Sequence, residues 1–421
     1  MKLRHFEAKN VHEMLNFNIT FHDDVNFFVG VNGSGKTTVI KLISGLVNFD
    51  FAALIETKFE YLLLTFETNS GLERQISCWQ KKDKILVSYD GINKGQPIPI
   101  AIDAIMGEYW ERTLNAKDRT QIMRHRAINE VTLIGLIRNK AIGLSKPKDE
   151  TYWIEFGDER ENSPVNTAKD LIVEEFRQLR VKERQKDDDL KTQMLSTIFT
   201  YTNFDDLEPL REGSETRKKI SQLRNDAEEK FTRTGLFDEI TLKKMSTFFE
   251  KMEVDFEETS KQDPYISLTY LMNKGHLERI AQVIELLDEN KKEIEEVYAR
   301  LNIYIQTVNS FFSDSGKRLE IDKKGDLQFY YKDHKIKNLE CLSSGEQQVF
   351  VLMTILAFHK SMRNGKVFLI DEPELSLHLF WQHKFVDAIK RLAPTSQFIL
   401  ATHSPEILSG HRDKAISVGR G

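Results

Sequence analysis

The sequence predicts an α/β fold: a mostly parallel sheet, an antiparallel β lobe beside it, and a long helical insertion. Three observations predict it. Two apolar runs, Val367-Phe368-Leu369-Ile370 and Phe398-Ile399-Leu400-Ala401, have the length and uniform hydrophobicity of strands buried on both faces. Each ends on polar, titratable residues, Asp371-Glu372-Pro373-Glu374 and Thr402-His403-Ser404-Pro405, where open α/β sheets place their ligands. Between about 165 and 312 the strand-like pattern gives way to charged sequence with helical spacing.

In chain order, residues 1–30 alternate. Leu3, His5 or Phe6, then Phe17, Ile19 and Phe21, then Val25, Phe27 and Val29 suggest three short strands. The third runs into Gly30-Val31-Asn32-Gly33-Ser34-Gly35-Lys36-Thr37, a full match to G-x-x-x-x-G-K-[ST]. A helix-like run, Thr38 to Leu46, follows it. Glycines let such a loop fold into a nest whose N–H groups point at phosphate oxygens, and the helix N-terminus adds to that field. The candidate nucleotide contacts are Asn32, Gly33, Ser34, Gly35, Lys36, Thr37 and Thr38. Lys36 is suited to the β- and γ-phosphates and Thr37 to Mg²⁺. The bland alternative, a glycine-rich turn that happens to fit, is disfavoured by the correct flanks on both sides.

Residues 58–98 continue the β character through Glu60–Phe66, Arg74–Trp79 and Ile85–Tyr89, the last before an Asp90-Gly91 turn. They form the expected antiparallel lobe. Residues 100–145 have no dominant period, and Lys140, Lys146 and Lys148 read as a solvated loop. In the insertion, Leu277, Ile280, Ile284, Leu287, Ile294, Tyr298, Leu301, Ile305, Val308 and Phe312 keep 3–4 spacing. Its partner around Leu171–Ile198 fits less well, and Pro209 and Pro264 interrupt the region. Two readings stay open, a short helical hairpin or coiled coil rising from the head and a compact helical subdomain whose seam is core. Leu319–Ile321, the turn Lys323-Lys324-Gly325-Asp326 and Leu327–Tyr331 read as a hairpin returning the chain to the sheet. The expected organisation is 1–150 for the first part of the head, 151–315 for the insertion and 316–421 for the second part.

The last quarter opens on Leu342-Ser343-Ser344-Gly345-Glu346. Together with the phosphate loop, Asp371-Glu372 and His403, this segment resembles the ATP-binding-cassette ATPases, in particular their SMC, Rad50 and RecF-like branch. Leu342–Glu346 is similar to that superfamily's LSGGQ signature, with Ser344 at the first glycine and Glu346 at the glutamine. The resemblance implies that Ser343 and Gly345 meet the γ-phosphate of a nucleotide held by a second copy, with Glu346 of the same signature among the nucleotide-binding residues. It also implies that Asp371 orients Mg²⁺, that Glu372 is the base polarising the attacking water, and that His403 is the switch histidine. Ser376-Leu377-His378 stands at the D-loop position. A sensing glutamine is expected too; Gln121 and Gln178 are the candidates, neither with a supporting motif. His5, Phe6 and His12 are candidates for the adenine edge, with ordinary sheet packing the more natural reading of each.

Glu372-Pro373-Glu374-x-Ser376-Leu377-His378, Trp381-Gln382 and Thr402-His403-Ser404-Pro405 narrow the resemblance to stand-alone, OLD-like bacterial AAA-type ATPases. That family includes subunits of PARIS-type, Septu and retron-associated phage-defence systems. It implies ATP and Mg²⁺ as cofactors, a head-to-head homodimer or larger oligomer, and an effector partner such as a TOPRIM or HNH nuclease. DNA or a phage protein would be the trigger. Residues 404–421 leave no room for a TOPRIM domain after this motif, so nuclease output is expected from a partner. The alternatives are a DNA-clamping repair ATPase and a transporter's ATP-binding subunit. The first would lean on weak basic clusters such as Arg217-Lys218-Lys219; the second is disfavoured by the Pro373–His378 sequence.

Composition sets outer limits. With 421 residues the chain can bury a large core. A formal net charge of −5 argues against wholesale wrapping of nucleic acid, while permitting a local basic patch. Only Cys78 and Cys341 are present, without metal-type spacing, as expected of a reducing cytoplasm. The first residues have no signal-peptide core, and no apolar run approaches the ~20 residues needed to span a bilayer.

Overall fold

The computed structural model describes residues 1–90, 96–120, 122, 131–137, 154–155, 164–197, 213–234, 237–261, 268–322, 324–332, 334–336, 342–358 and 367–419. Gln121, Lys140, Lys146, Lys148, Pro209, Pro264, Lys323 and Cys341 lie outside these residues, as does Gly91 of the expected turn. The chain forms two compact units, one of Met1–Phe176 with Arg300–Gly421, the other of Arg177–Ala299. The second unit is narrower than the 151–315 insertion expected. The ends of its two long helices belong to the first unit: Tyr304 is fully buried and shares a 2.7 Å hydrogen bond with Thr354, and Phe311 packs edge-on against Trp381.

Among the described residues, the first unit shows two six-stranded sheets and one of three strands. The first sheet is antiparallel, built from β1 (Lys2–Val11), β2 (Leu15–Thr20), β4 (Tyr61–Glu67), β5 (Glu73–Gln80), β6 (Lys84–Tyr89) and β7 (Ile98–Ala101), in the order β2-β1-β4-β5-β6-β7. Strand β2 buries every second residue, as expected for a sheet with one face on the core.

The second sheet is parallel, with β3 (Val25–Val29), β8 (Val131–Ile137), β9 (Ile154–Glu155), β13 (Val367–Asp371), β14 (Gln397–Ala401) and β15 (Ala415–Ser417) in the order β15-β3-β14-β13-β8-β9. Its middle strands bury continuous runs. Strand β8 pairs with β13 from Val131 to Gly135. It falls in the stretch where the sequence showed no dominant period: Thr132 and Gly135 interrupt its apolar residues, so it offers neither an unbroken apolar run nor a clean alternation.

The helix Lys36–Asn48 joins the two layers. Val39, Ile40, Leu42, Ile43, Leu46 and Val47 sit in one apolar cluster with Leu3, Phe6, Leu62 and Leu64 of the antiparallel sheet and Leu369, Ile399 and Ala401 of the parallel one. Gln397, fully buried on β14, accepts from Leu3 N (2.7 Å) and donates to Leu3 O (3.0 Å) and His22 O (2.7 Å). A polar side chain thus ties the two sheets together with its hydrogen bonds satisfied. The third sheet extends the expected hairpin, β10 (Lys317–Ile321) and β11 (Leu327–Tyr331), by a strand β12 (His334–Ile336).

The second unit is helical. Leu190, Ile220, Ala227, Phe231, Phe249, Met252, Leu277, Ile284 and Leu287 form its core. They come from the helices Pro164–Thr197, Gly213–Thr234, Glu239–Lys261 and Leu268–Phe312. With that core shared among these helices, the first half of the periodic seam is the interior of a bundle. Further along, the two long helices meet through Asn290 Nδ2 to Lys186 O (3.2 Å) and Tyr298 OH to Glu183 Oε2 (2.6 Å).

Candidate functional site

Strand order places the chemistry. Strand β14 lies between β3 and β13, with Asp371 opposite Ala401 and Ala401 opposite Phe28. The phosphate loop, the segment after β14 and the acids ending β13 therefore leave the same edge of one sheet, side by side. Thr402 N donates to Phe28 O (3.2 Å) and Glu372 N to Ala401 O (2.9 Å), so backbone bonds fix the segments to one another.

Within the loop, Gly33 and Gly35 take positive φ (78° and 97°). A Cβ on Gly35 would also stand 2.8 Å from the Phe17 ring, so glycine is required there twice over. Lys36 turns back across the loop, donating to Gly30 O (2.9 Å) and Val31 O (3.3 Å). Burial lowers its pKa, and the nearby charges of Glu372, Asp371 and Glu374 oppose the shift. Asn32, Gly33 and Thr37 are exposed and Ser34 is buried. Val418 N bonds Val29 O (2.8 Å), and a Cβ on Gly30 would meet Val418 O, so the segment after β15 packs against the loop from behind.

Asp371 has its pKa raised, by burial first and then by Glu372 and Glu374, with the Thr37 hydroxyl and Lys41 opposing. Its Oδ1 and the Ser34 Oγ are buried without a hydrogen-bond partner. Buried polar atoms are rarely left unmatched without a reason. Asp371 Oδ1 belongs to the carboxylate that meets the Thr37 hydroxyl, a donor set suited to a divalent cation, whereas Ser34 Oγ lies toward Gly30 and the Val418 side of the loop. The residues therefore fit a nucleotide with its cation, held through the loop, Lys36, Thr37 and Asp371. Glu372 adopts a left-handed conformation (φ 48°, ψ 54°), a strained state for a residue with a side chain. The chain must turn at once there, because Asp371 still pairs in the sheet and Pro373 starts the next short helix.

The residues after β14 are held by Glu374, a side chain for which no chemistry was expected. Glu374 accepts Thr402 Oγ1 at 2.8 Å and His403 N at 2.5 Å, so it fixes the backbone on which the exposed His403 ring stands. Ser404 Oγ donates to Gln382 Oε1 (2.5 Å), while Gln382 Nε2 donates to Leu377 O (2.9 Å). The Pro373–His378, Trp381-Gln382 and Thr402–Pro405 motifs are thus largely one hydrogen-bond network. Glu374 and Gln382 stand inside those motifs; only the network reveals what each holds.

The signature segment is a helix N-terminus. Ser343 caps the helix Ser344–Phe358, its Oγ accepting Glu346 N (3.4 Å) while Glu346 Oε2 accepts Ser343 N (2.7 Å), a reciprocal capping box. Ser343 and Ser344 are exposed and Gly345 is half-buried. Glu346 departs from the expectation of a nucleotide contact. Its side chain is 2% exposed, and Lys317 Nζ (2.6 Å), Ser315 Oγ (2.6 Å) and Ser343 N occupy both oxygens. Buried within its own chain, it serves the cap. Phe6 is likewise fully buried in the core, which removes it from any adenine edge; His5 is half-buried and His12 exposed. Gln178 lies in the helical unit. Thr38 is half-buried on the first turn after the loop.

Among known proteins, the retron Vc95 probable ATPase of Vibrio cholerae serotype O1 biovar El Tor is 29% identical over 168 residues. The match covers 36% of this chain and 32% of that protein, so it spans about a third of the relative's length. Among solved structures, the Smc head domain of Pyrococcus furiosus, with an extended coiled coil and bound to the C-terminal domain of ScpA, aligns at 13% identity and TM-score 0.42 over 100% of this chain and 94% of that one. The SMC head domain from Thermotoga maritima aligns at 13% and 0.39, over 97% and 92%. Residues 1–408 match the family model of the AAA ATPase domain. With nearly its whole length matched, and with a phosphate loop, acids and polar post-strand segment converging on one sheet edge, the chain belongs to the AAA ATPase domain family.

Proposed function

We propose that the protein is a Mg²⁺-dependent ATP hydrolase whose site closes when Ser343 and Gly345 of a second copy reach the γ-phosphate held at the first. Its nucleotide state controls an effector protein, a nuclease or toxin, in bacterial antiphage defence. One observation carries the hydrolase reading: the phosphate loop, Asp371-Glu372 and Thr402-His403 leave adjacent parallel strands at the same edge. The Ser343-Ser344 cap supports completion by a second copy, since both residues are exposed at the helix N-terminus. The retron relative supports the defence setting.

Each residue then has a task. Lys36 exchanges the Gly30 and Val31 carbonyls for β- and γ-phosphate oxygens. The Glu372 carboxylate takes the proton of the attacking water as its oxygen bonds to phosphorus and the bridging oxygen leaves with ADP. His403, fixed through Glu374, stands by the γ-phosphate oxygens. Mg²⁺, when bound, supplies charge neutralisation of the triphosphate. Such chemistry depends on position and charge more than on covalent help.

The test compares Glu372→Gln with Ser343→Arg. Glu372→Gln should bind ATP as the wild type does, turn over ~10³-fold more slowly, and accumulate as an ATP-dependent dimer in size-exclusion chromatography. Ser343→Arg should bind ATP but neither dimerise nor hydrolyse it. Wild-type turnover by Glu372→Gln removes the catalytic assignment; wild-type turnover by Ser343→Arg removes the shared site.

A further inference from the structure

We propose that Lys317, at the start of β10, is a positioning residue for ATP turnover: by holding the Glu346 carboxylate it sets the cap that presents Ser343 and Gly345 to the partner's nucleotide. The inference rests on the shared-site reading above. Lys317 is bonded to Glu346 and acts on the site through it.

The geometry is a closed set. Glu346 Oε2 accepts both Lys317 Nζ (2.6 Å) and Ser343 N (2.7 Å), and Oε1 accepts Ser315 Oγ (2.6 Å). The pair is shielded, with side-chain exposures of 15% for Lys317 and 2% for Glu346. A capping box at a solvent-exposed helix end needs only its own serine and glutamate. Here the glutamate is buried, and a buried carboxylate is tolerated when it is paired and its oxygens are hydrogen-bonded. The lysine that provides the pairing comes from a separate strand, so the first turn of the signature helix is registered against β10 as well as against itself.

The turn before Lys317 makes a second attachment. Asp314 Oδ2 accepts Trp381 Nε1 (3.1 Å) and Lys384 Nζ (3.0 Å), both on the helix Leu379–Leu392, which directly follows the Ser376–His378 segment. Residues 314–317 therefore anchor both the signature cap and the helix behind the D-loop position. A displacement of about 1 Å at a reacting group can lower a rate ~100-fold. A cap released from Lys317 needs to move no further than that to fail.

The experiment uses the full chain and measures ATP affinity, kcat and ATP-dependent association for Lys317→Met, Lys317→Arg and the double variant Lys317→Met/Glu346→Gln. Lys317→Met should bind ATP with wild-type affinity while kcat falls ~100-fold and association weakens. Lys317→Arg should stay active. The double variant strands no buried charge and keeps an acceptor for Ser343 N, so it should regain most of the lost kcat. Wild-type kcat in Lys317→Met, or a double variant no better than the single, overturns the proposal. If Lys317→Met is insoluble, Ser315→Ala removes one donor to Glu346 without stranding a charge. A lowered kcat at unchanged ATP affinity then supports the proposal, and an unchanged kcat overturns it. Ser343→Arg in parallel separates the two layers: an inactive Ser343→Arg beside a normal Lys317→Met defeats only the role of Lys317, whereas an active Ser343→Arg defeats the shared site.

Discussion

Asp371 is held in the folded protein at a cost. Burial, then Glu372 and Glu374, raise its pKa above the ordinary carboxylate value. A carboxyl group whose folded pKa exceeds its unfolded one loses stability as pH rises between the two values, and the penalty persists at neutral pH. Asp371→Asn should therefore raise the melting temperature of the nucleotide-free protein at pH 7, by an amount equivalent to about 1 kcal/mol, while abolishing turnover. The gain should shrink as pH is lowered toward the carboxylate range, which a series of thermal melts would show. The acids at the end of β13 were legible from the sequence as candidates because type and spacing alone mark them. Glu374 was not, because nothing in a linear motif says that its carboxylate bridges to Thr402 and His403, 28 and 29 positions away.

At the level of elements, the phosphate loop depends on its contact with β2 as much as on its own glycines. Gly35 combines a φ of 97° with a Phe17 ring that a Cβ would approach to 2.8 Å. Gly35→Ala should cost about 1–3 kcal/mol of stability and remove ATP binding, as read by denaturant midpoint and by fluorescent-nucleotide titration. Gly33→Ala carries the strained φ without a clash, since nothing lies within 4 Å of its Cβ position, and should be the milder of the two. The motif names both glycines equally; only packing ranks them. The signature segment teaches a related point. Its match to a nucleotide-contacting motif was readable, but the Ser343–Glu346 spacing is equally that of a capping box, and burial assigns Glu346 to the second role.

Across the whole head, a few polar contacts, one buried and one partly exposed, join segments far apart in sequence. Gln397 bridges the two sheets, and Asp24 gathers Lys414 and Lys390, the latter at 3.0 Å. Burial works to raise the Asp24 pKa, but the bonds from Lys414, Lys390 and Val25 N outweigh it and hold the group well below the usual carboxylate range. A depressed carboxylate contributes stability that is present above its unfolded pKa, about 3.9, and is lost as pH falls through the folded value. Asp24→Asn should thus lower the urea midpoint near neutral pH, by no more than about 1 kcal/mol for so exposed a pair. The difference from wild type should narrow below about pH 4.

By itself the sequence determined the fold class, the phosphate loop, the two acid- and histidine-bearing strand ends and the helical nature of the insertion. Each is written in local pattern: a spacing, an apolar run, a period. Tertiary structure decided what local pattern cannot hold. It placed β8 in the central sheet and put β14 between the phosphate loop and the acids. It turned Glu346 inward toward Lys317 and made Glu374 the clamp of the His403 segment. The physical reason is common to all four: strand order and buried polar pairing join residues through space, and their partners lie too far along the chain for any local signal to name them.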